Sequence, residues 1–514
     1  MTKGERDKTM TTLRCITTAL SLTAFAGAFG CLQLQDIDQE NLGTTYDPIT
    51  EVSHTPVERQ AIGNCWLYAA ATWVESMNLS YLEAQPPTGT PNEHTCEHLF
   101  CEQGAKLTNG CMPTDSDHAA CLAKICEEDS YCCDTAWDDI CTRHVSEGRK
   151  CEATLCGAPP VGGGGIVELE PLDISQSYWT YWHWFDQIGG YMHKDEVSTG
   201  GSTWTSNAIM RDRGIMKEID FVPEDTQNEM SSRQSSALSK MNAALKSGEL
   251  STSEARRNGE LVRKVLDDAW GLPTEVRAQL DKVFGKDGSQ NLRSGGSVEG
   301  TNIIHATNLP VRYAKLVNGQ VQYKDTNLTE AIREWQTVSY PSGASARRNT
   351  LIRVQKALHA RQPVGVTWNV DFNALENGSN DRRGSFNMST LKNAGRPGRQ
   401  GGHMTVLHDY EAETQAYGVL PAGVTLNPDV PEDAAKLQAA LQTSTTIKFL
   451  RTKNSWGGAR PDRAFSEGFP GYHDLWMDYL NGPFNWCPDA DNPTYETCRS
   501  ETTGLREMLM PPGF

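Results

Sequence analysis

Residues 59–71 read Arg59-Gln60-Ala61-Ile62-Gly63-Asn64-Cys65-Trp66-Leu67-Tyr68-Ala69-Ala70-Ala71, and their interpretation decides the fold. After Cys65 the alanines, Leu67 and the pair Trp73-Val74 recur at core-facing intervals, so the spacing predicts a helix that begins at the cysteine. A thiol at a helix amino terminus feels the positive end of the macrodipole, which favours the thiolate and lowers the pKa. Cys65 is therefore the candidate nucleophile. Gln60 precedes it, where a donor to a developing oxyanion is wanted. A buried free cysteine more often serves as a small hydrophobe, but pairing of the other cysteines leaves Cys65 as the single odd one inside the fold.

A nucleophilic thiol needs a base, and the base needs a group that orients it. The run Gly401-Gly402-His403-Met404-Thr405-Val406-Leu407 reads as a histidine opening an apolar strand after a glycine turn. Residues 447–453 read as a second strand leading into Asn454-Ser455-Trp456-Gly457. His408, five positions past His403, is expected on the other face of its strand, with Asp409 in a structural hydrogen bond. The order Cys, His, Asn, with Gln before Cys-Trp, Gly-His before a strand and Lys-Asn-Ser-Trp-Gly after one, resembles the papain family of cysteine peptidases. That resemblance implies that Cys65 attacks a carbonyl carbon, that His403 carries the proton and that Asn454 holds the imidazole. It also implies an oxyanion hole made by Gln60 and the Cys65 main-chain N–H, and a shielding role for Trp456. Four residues separate Gln60 from Cys65 where the family has five, and Asn64 stands where the family has Ser or Arg.

The separations are 338 from Cys65 to His403 and 51 from His403 to Asn454. Papain-type enzymes place both partners roughly 130 to 150 residues after the cysteine, so this chain carries large additions. These resemble the bleomycin hydrolase and aminopeptidase C branch through Leu172-Asp173-Ile174-Ser175-Gln176-Ser177-Tyr178-Trp179, Trp184-Phe185-Asp186, Gly200-Gly201-Ser202-Thr203-Trp204, Arg213-Gly214-Ile215-Met216 and Val222-Pro223-Glu224. Gly471-Tyr472 and Leu475-Trp476-Met477-Asp478-Tyr479 extend the likeness, which spans about residues 51–482.

Within it, Leu238, Met241 and Leu245, then Leu261, Val262, Val265, Leu266 and Ala269, form helical apolar stripes of core type. Ser251 with Glu254 reads as a capping box for the second helix, and Thr274 as the cap of a third through Val276, Leu280, Val283 and Phe284. Asn318-Gly319 marks a hairpin over residues 311–323, and residues 363–368 read as a buried strand. The expected class is α+β, with the helix of Cys65 facing an antiparallel sheet that carries His403 and Asn454.

Ten of the 15 cysteines crowd residues 96–157, at 96, 101, 111, 121, 126, 132, 133, 141, 151 and 156, and Cys487 and Cys498 lie near the carboxyl end. Twelve cysteines allow six disulfides, the staple expected of an exported chain. The rival, a zinc site from His94, Cys96, His98 and Cys101, lacks the Cys-x-x-Cys spacing of common zinc modules. No metal or cofactor is expected. The block resembles small Cys-rich modules of exported bacterial proteins. The first 30 residues place Lys3, Arg6, Lys8 and Arg14 around an apolar stretch that ends in small residues before Cys31. This reads as a secretory signal, with Cys31 as a site for a lipid anchor. Its removal, with four basic and two acidic side chains, takes the formal charge from −18 to −20. Such a charge excludes a nucleic-acid partner.

The expected organisation is a signal over 1–30, a peptidase domain over 51–95 and 166–482 with a helical subdomain at 225–290, a disulfide-rich insertion at 96–157, and a disulfide-closed tail at 483–514. The expected function is an exported cysteine peptidase that cleaves protein or peptide substrates through a thioester acyl-enzyme. The alternatives are a papain-fold binding protein without activity and an acyl transferase using the same triad. Oligomeric state stays open.

Overall fold

The computed structural model describes residues 52, 55–85, 104–105, 122–127, 129–134, 136–137, 139–146, 172–189, 195–424, 426–428, 430–460, 462–487, 498–501 and 503–514. The signal at 1–30, Cys31, the four zinc candidates at 94–101 and most of the insertion lie outside these residues. The described residues belong to one unit, Tyr46–Phe514.

Helix α1, Cys65–Ala84, is buried on every side from Cys65 to Asn78, which makes it a core helix and not an amphipathic surface one. Asn64 stands at its N-cap without capping it; its Nδ2 instead donates to Thr180 Oγ1 at 3.0 Å and Gln234 Oε1 at 3.2 Å. A helical layer packs around α1: α2 (Gln176–Gly189), α3 (Thr203–Arg213), α4 (Gln234–Ser247), α5 (Gly259–Trp270) and α6 (Thr274–Phe284). Tyr178, Trp179, Tyr181, Trp182 and Trp184 of α2 are fully buried, and their core is continuous with that of α1, α4, α5 and α6. The helices at 225–290 thus share the core of the Cys65 helix. Their caps differ from the expectation: the second helix, α5, is capped by Asn258 and not by Ser251, a separate short helix Ser253–Arg257 capped by Thr252 precedes it, and Thr274 is the first residue inside α6.

The chain then forms the hairpin β1 (Pro310–Val317) and β2 (Gln320–Asn327), joined by Asn318 and Gly319, both at positive φ. Such a two-residue turn needs left-handed backbone at both positions, which Asn-Gly supplies. The main sheet follows from β3 (Gln336–Ser339), helix α7 (Ala344–His359), β4 (Val364–Asp371), β5 (Ser385–Phe386), β6 (Gln400–Thr414), β7 (Gly418–Leu420), helix α8 (Pro431–Ala440), β8 (Thr446–Lys453), β9 (Tyr472–Trp476) and β10 (Leu505–Met510). Its order is β3-β10-β4-β6-β8-β9-β5, with β7 pairing β6, and only β9 with β5 is parallel. One core lies between the helices and the face of β6 that carries Met404 and Val406. The second lies on the opposite face, with Val364, Val366, Trp368, Leu407 and Leu450. The class is α+β.

Residues 483–514 are not a tail outside the domain. Phe484–Trp486 pairs with Arg499–Glu501 beside the Cys487–Cys498 disulfide, and β10 then enters the sheet between β3 and β4. In the insertion, Cys126–Cys133 and Cys132–Cys141 staple a small core of Leu122, Ile125, Trp137 and Val145. No described helix is long and apolar enough to cross a membrane.

Candidate active site

Cys65, 8 % exposed, is the one described cysteine outside a disulfide. Helix α1 packs against β6, and the sulfur lies against the main chain of Met404, one peptide bond from His403. Next to it, Trp66 Nε1 donates to Thr199 O at 2.9 Å and its ring meets His183 edge-on.

His403 faces Trp368 across the β4–β6 register and meets its ring edge-on at 5.6 Å. Its Nε2 lies 2.7 Å from Asn454 Oδ1, the residue just past the end of β8. An amide oxygen only accepts, so Nε2 carries the proton and Nδ1 is left as the basic nitrogen. Asn454 is itself held: Oδ1 also accepts from Ser455 N at 2.8 Å, and Nδ2 lies 3.2 Å from His473 Nδ1. Burial pushes His473 down to about 3, which keeps it neutral and able to accept. Trp456 stacks on His403 with ring centres 4.7 Å apart and planes 19° from parallel. Trp456 is buried, so its ring covers the imidazole where water would compete for the Asn454 bond.

The charge state of the sulfur departs from the helix-dipole expectation. Burial pushes the Cys65 thiol up to about 11, although main-chain N–H groups of Met404, Trp66 and Cys65 itself oppose this. Desolvation outweighs the dipole because the first turns of α1 sit inside the core. Burial likewise pushes His403 down to about 4, with Arg463 adding to the fall and the Asn454 bond opposing it. Cys65 thus rests as the thiol and His403 as the neutral imidazole.

Gln60 is close to this constellation but tied down. Its Nε2 donates to Ile62 O at 2.7 Å, its Oε1 accepts from Ser455 Oγ at 2.7 Å, and its main-chain N–H reaches Ser455 O. His408 stands apart: it packs on Tyr472 at 5.0 Å, where the β6–β8 register slips. Asp409 accepts from Gly423 N and Tyr410 N.

Sequence reasoning passed over three groups. His473 and Ser455 steady Asn454 and Gln60. Behind Asn454 lies an acidic cluster in which carboxylate oxygens of Glu58, Asp173 and Glu218 fall within 4.8 Å of one another. Glu75 and Lys453 adjoin it, and Glu58 and Lys453 line a small cavity with Tyr68, Thr72 and Asn454. These are the described residues with the donor set for a hard cation. Their charge is otherwise answered. Lys453 Nζ is buried at 2.7 Å from Thr55 O, and burial reinforced by neighbouring carboxylates raises Glu58 well above its usual range and Glu218 to about 8. Burial takes Glu75 to about 7 against the pull of Lys453. The signal for the cluster was absent because its members are scattered from position 58 to 453.

Residues 94–156 are similar to a family described as Domain of unknown function (DUF8252). No curated protein matches the chain.

Proposed function

We propose that the protein is an exported cysteine peptidase of papain-like architecture, closest to the bleomycin hydrolase and aminopeptidase C branch. The observation that carries this reading is the His403–Asn454 pair at 2.7 Å, with Met404, the residue after His403, meeting the sulfur of a free cysteine that opens a buried helix. In this reading Cys65 Sγ attacks the substrate carbonyl carbon as its proton passes to His403 Nδ1. The tetrahedral intermediate collapses, the C–N bond breaks, and Nδ1 returns the proton to the leaving amine. Water, deprotonated by Nδ1, then attacks the thioester carbon; the C–S bond breaks and the sulfur regains its proton. Asn454 keeps Nε2–H fixed throughout, so Nδ1 faces the sulfur in both steps. The oxyanion meets the Cys65 main-chain N–H, with Gln60 as second donor once its amide turns from Ile62. Export rests on residues 1–30 and on the cysteine-rich insertion.

One observation favours a second reading, a binding protein of the same architecture without turnover: both ends of the Gln60 carboxamide are engaged within the chain. A thiol-directed epoxide and a mixed peptide library, applied to wild type and Cys65→Ala with mass spectrometry of every product, separate the two. Labelling and cuts that vanish in the variant support the peptidase. Folded protein that neither labels nor cuts supports the binding protein. Cuts made only when an amine is supplied, with that amine in the product, would point instead to acyl transfer.

A further inference from the structure

The ring of Trp456 that stacks on His403 also carries the Arg463 guanidinium, 4.5 Å from its centre. Arg463 lies over Phe372 as well, at 4.6 Å, and Arg399 lies over the same Phe372 ring at 5.0 Å. Arg460 grips Asp462 through two bonds of 2.7 and 2.6 Å, and Asp462 stands 3.7 Å from Arg463. Arg59 pairs by its main chain with Trp456, and its buried Nε has no hydrogen-bond partner. Arg399 and Arg463 thus lie over two aromatic rings beside His403, and Arg460 and Arg59 stand close enough for their charges to act on Arg463. The carboxylates about them include Asp462, Glu229, which accepts from Gly458 N, and Asp371, which accepts from Gly398 N and Gln400 Nε2 on either side of Arg399. Four cations against these three carboxylates leave a positive surplus, in a chain whose formal charge is −18.

That surplus is costly where it stands. The Arg463 side chain is only 12 % exposed and that of Arg460 15 %. Burial, then crowding by Arg460, pushes Arg463 down to about 10 despite Asp462, with Arg399 and Arg59 adding to it. Like charges held together and partly dried are offset by an incoming anion, and guanidinium forks suit a carboxylate. The side on which that anion lies follows from the chemistry. His403 gives its proton to the leaving amine, so residues after the scissile bond pass on the His403 side, towards Trp456 and the arginines.

We infer that this arginine cluster is a subsite for a carboxylate on the leaving-group side of the scissile bond, carried by an Asp or Glu side chain or by the free carboxyl end of the peptide. The inference rests on the peptidase reading. Its test takes the peptide cut fastest in the library and remakes it in four forms, with Asp or Asn just after the cut and with a free or amidated carboxyl end. Wild type is compared with the double variant Arg399→Gln/Arg460→Gln. The kcat/KM ratio of carboxylate to neutral form is expected at roughly ten- to hundredfold for wild type, the range of a charge-assisted hydrogen bond, and near one for the variant. A preference for Asp, or for the free carboxyl end, names the source of the carboxylate. Anisotropy of the same labelled peptides on Cys65→Ala repeats the comparison without turnover, and the same ratio in binding supports the subsite. Cys65-dependent cutting with equal rates on all four forms overturns the subsite and leaves the peptidase standing. Folded protein that cuts nothing overturns both.

Discussion

Glu218 offers the sharpest test of how the interior beneath Asn454 is held. Glu218 is 7 % exposed, and a carboxylate oxygen lies within 4.8 Å of those of Glu58 and Asp173. Burial, followed by repulsion from Asp173, Asp225 and Glu75, raises it from 4.5 to about 8. The folded state therefore holds a proton that the unfolded chain has released. Stability from this group is fully present below pH 4.5 and is lost as pH rises through 8. At pH 7 the loss spans two and a half pKa units, and at about 1.4 kcal/mol each this is about 3 kcal/mol. Glu218→Gln keeps the shape and removes the ionisation. It is expected to stabilise the protein by about 2 to 3 kcal/mol at pH 7 and to change little at pH 4. Denaturant unfolding followed by tryptophan fluorescence, wild type beside variant at both pH values, reads the double difference directly. A variant less stable than wild type at pH 7, or shifted equally at both, would refute the reasoning. Loss of wild-type stability on adding EDTA would show instead that the three carboxylates hold a cation.

Three further outcomes are expected. In the peptidase reading, Asn454→Ala frees the His403 ring, and a misplaced base should cost about a hundredfold in kcat with little change in KM; steady-state kinetics on a library peptide checks this, and an unchanged kcat would remove Asn454 from the proposed triad. Gly201→Ala puts a Cβ 2.4 Å from the buried Trp66 ring, so thermal unfolding should show a loss of roughly 1 to 3 kcal/mol and epoxide labelling of Cys65 should slow; wild-type behaviour in both would mean that Trp66 yields freely. Asp474→Ala strands Arg451, whose side chain is 7 % exposed and bonded to Asp474 at 2.8 and 3.0 Å; breaking such a buried pair costs about 3 to 5 kcal/mol, measurable as a lower denaturant midpoint.

The parts of this molecule that could be read in advance are those whose geometry is set by near neighbours. A helix from Cys65, a turn at Asn318-Gly319 and strands into His403 and out to Asn454 each follow from a dozen consecutive residues. The parts that could not be read depend on pairing across the chain. His473 touches Asn454 only because β9 lies beside β8 with His473 opposite Thr452. Leu505–Met510 looks like a loose end after a disulfide loop, yet its partners Gln336–Ser339 and Val364–Asp371 lie well over a hundred positions earlier. The thiol shows why this division matters for chemistry. The helix dipole is local and was legible, and taken alone it points to a lowered pKa. Burial of Cys65 to Asn78 is a property of the assembled layers, acts the other way and wins. The arginines around Trp456 are the same case: Arg59, Arg399, Arg460 and Arg463 come from three separate stretches of chain, so no motif announces them. A site's reactive atoms can therefore be proposed from sequence, while their charge state and the charge of what they receive are decided by contacts that only the fold creates.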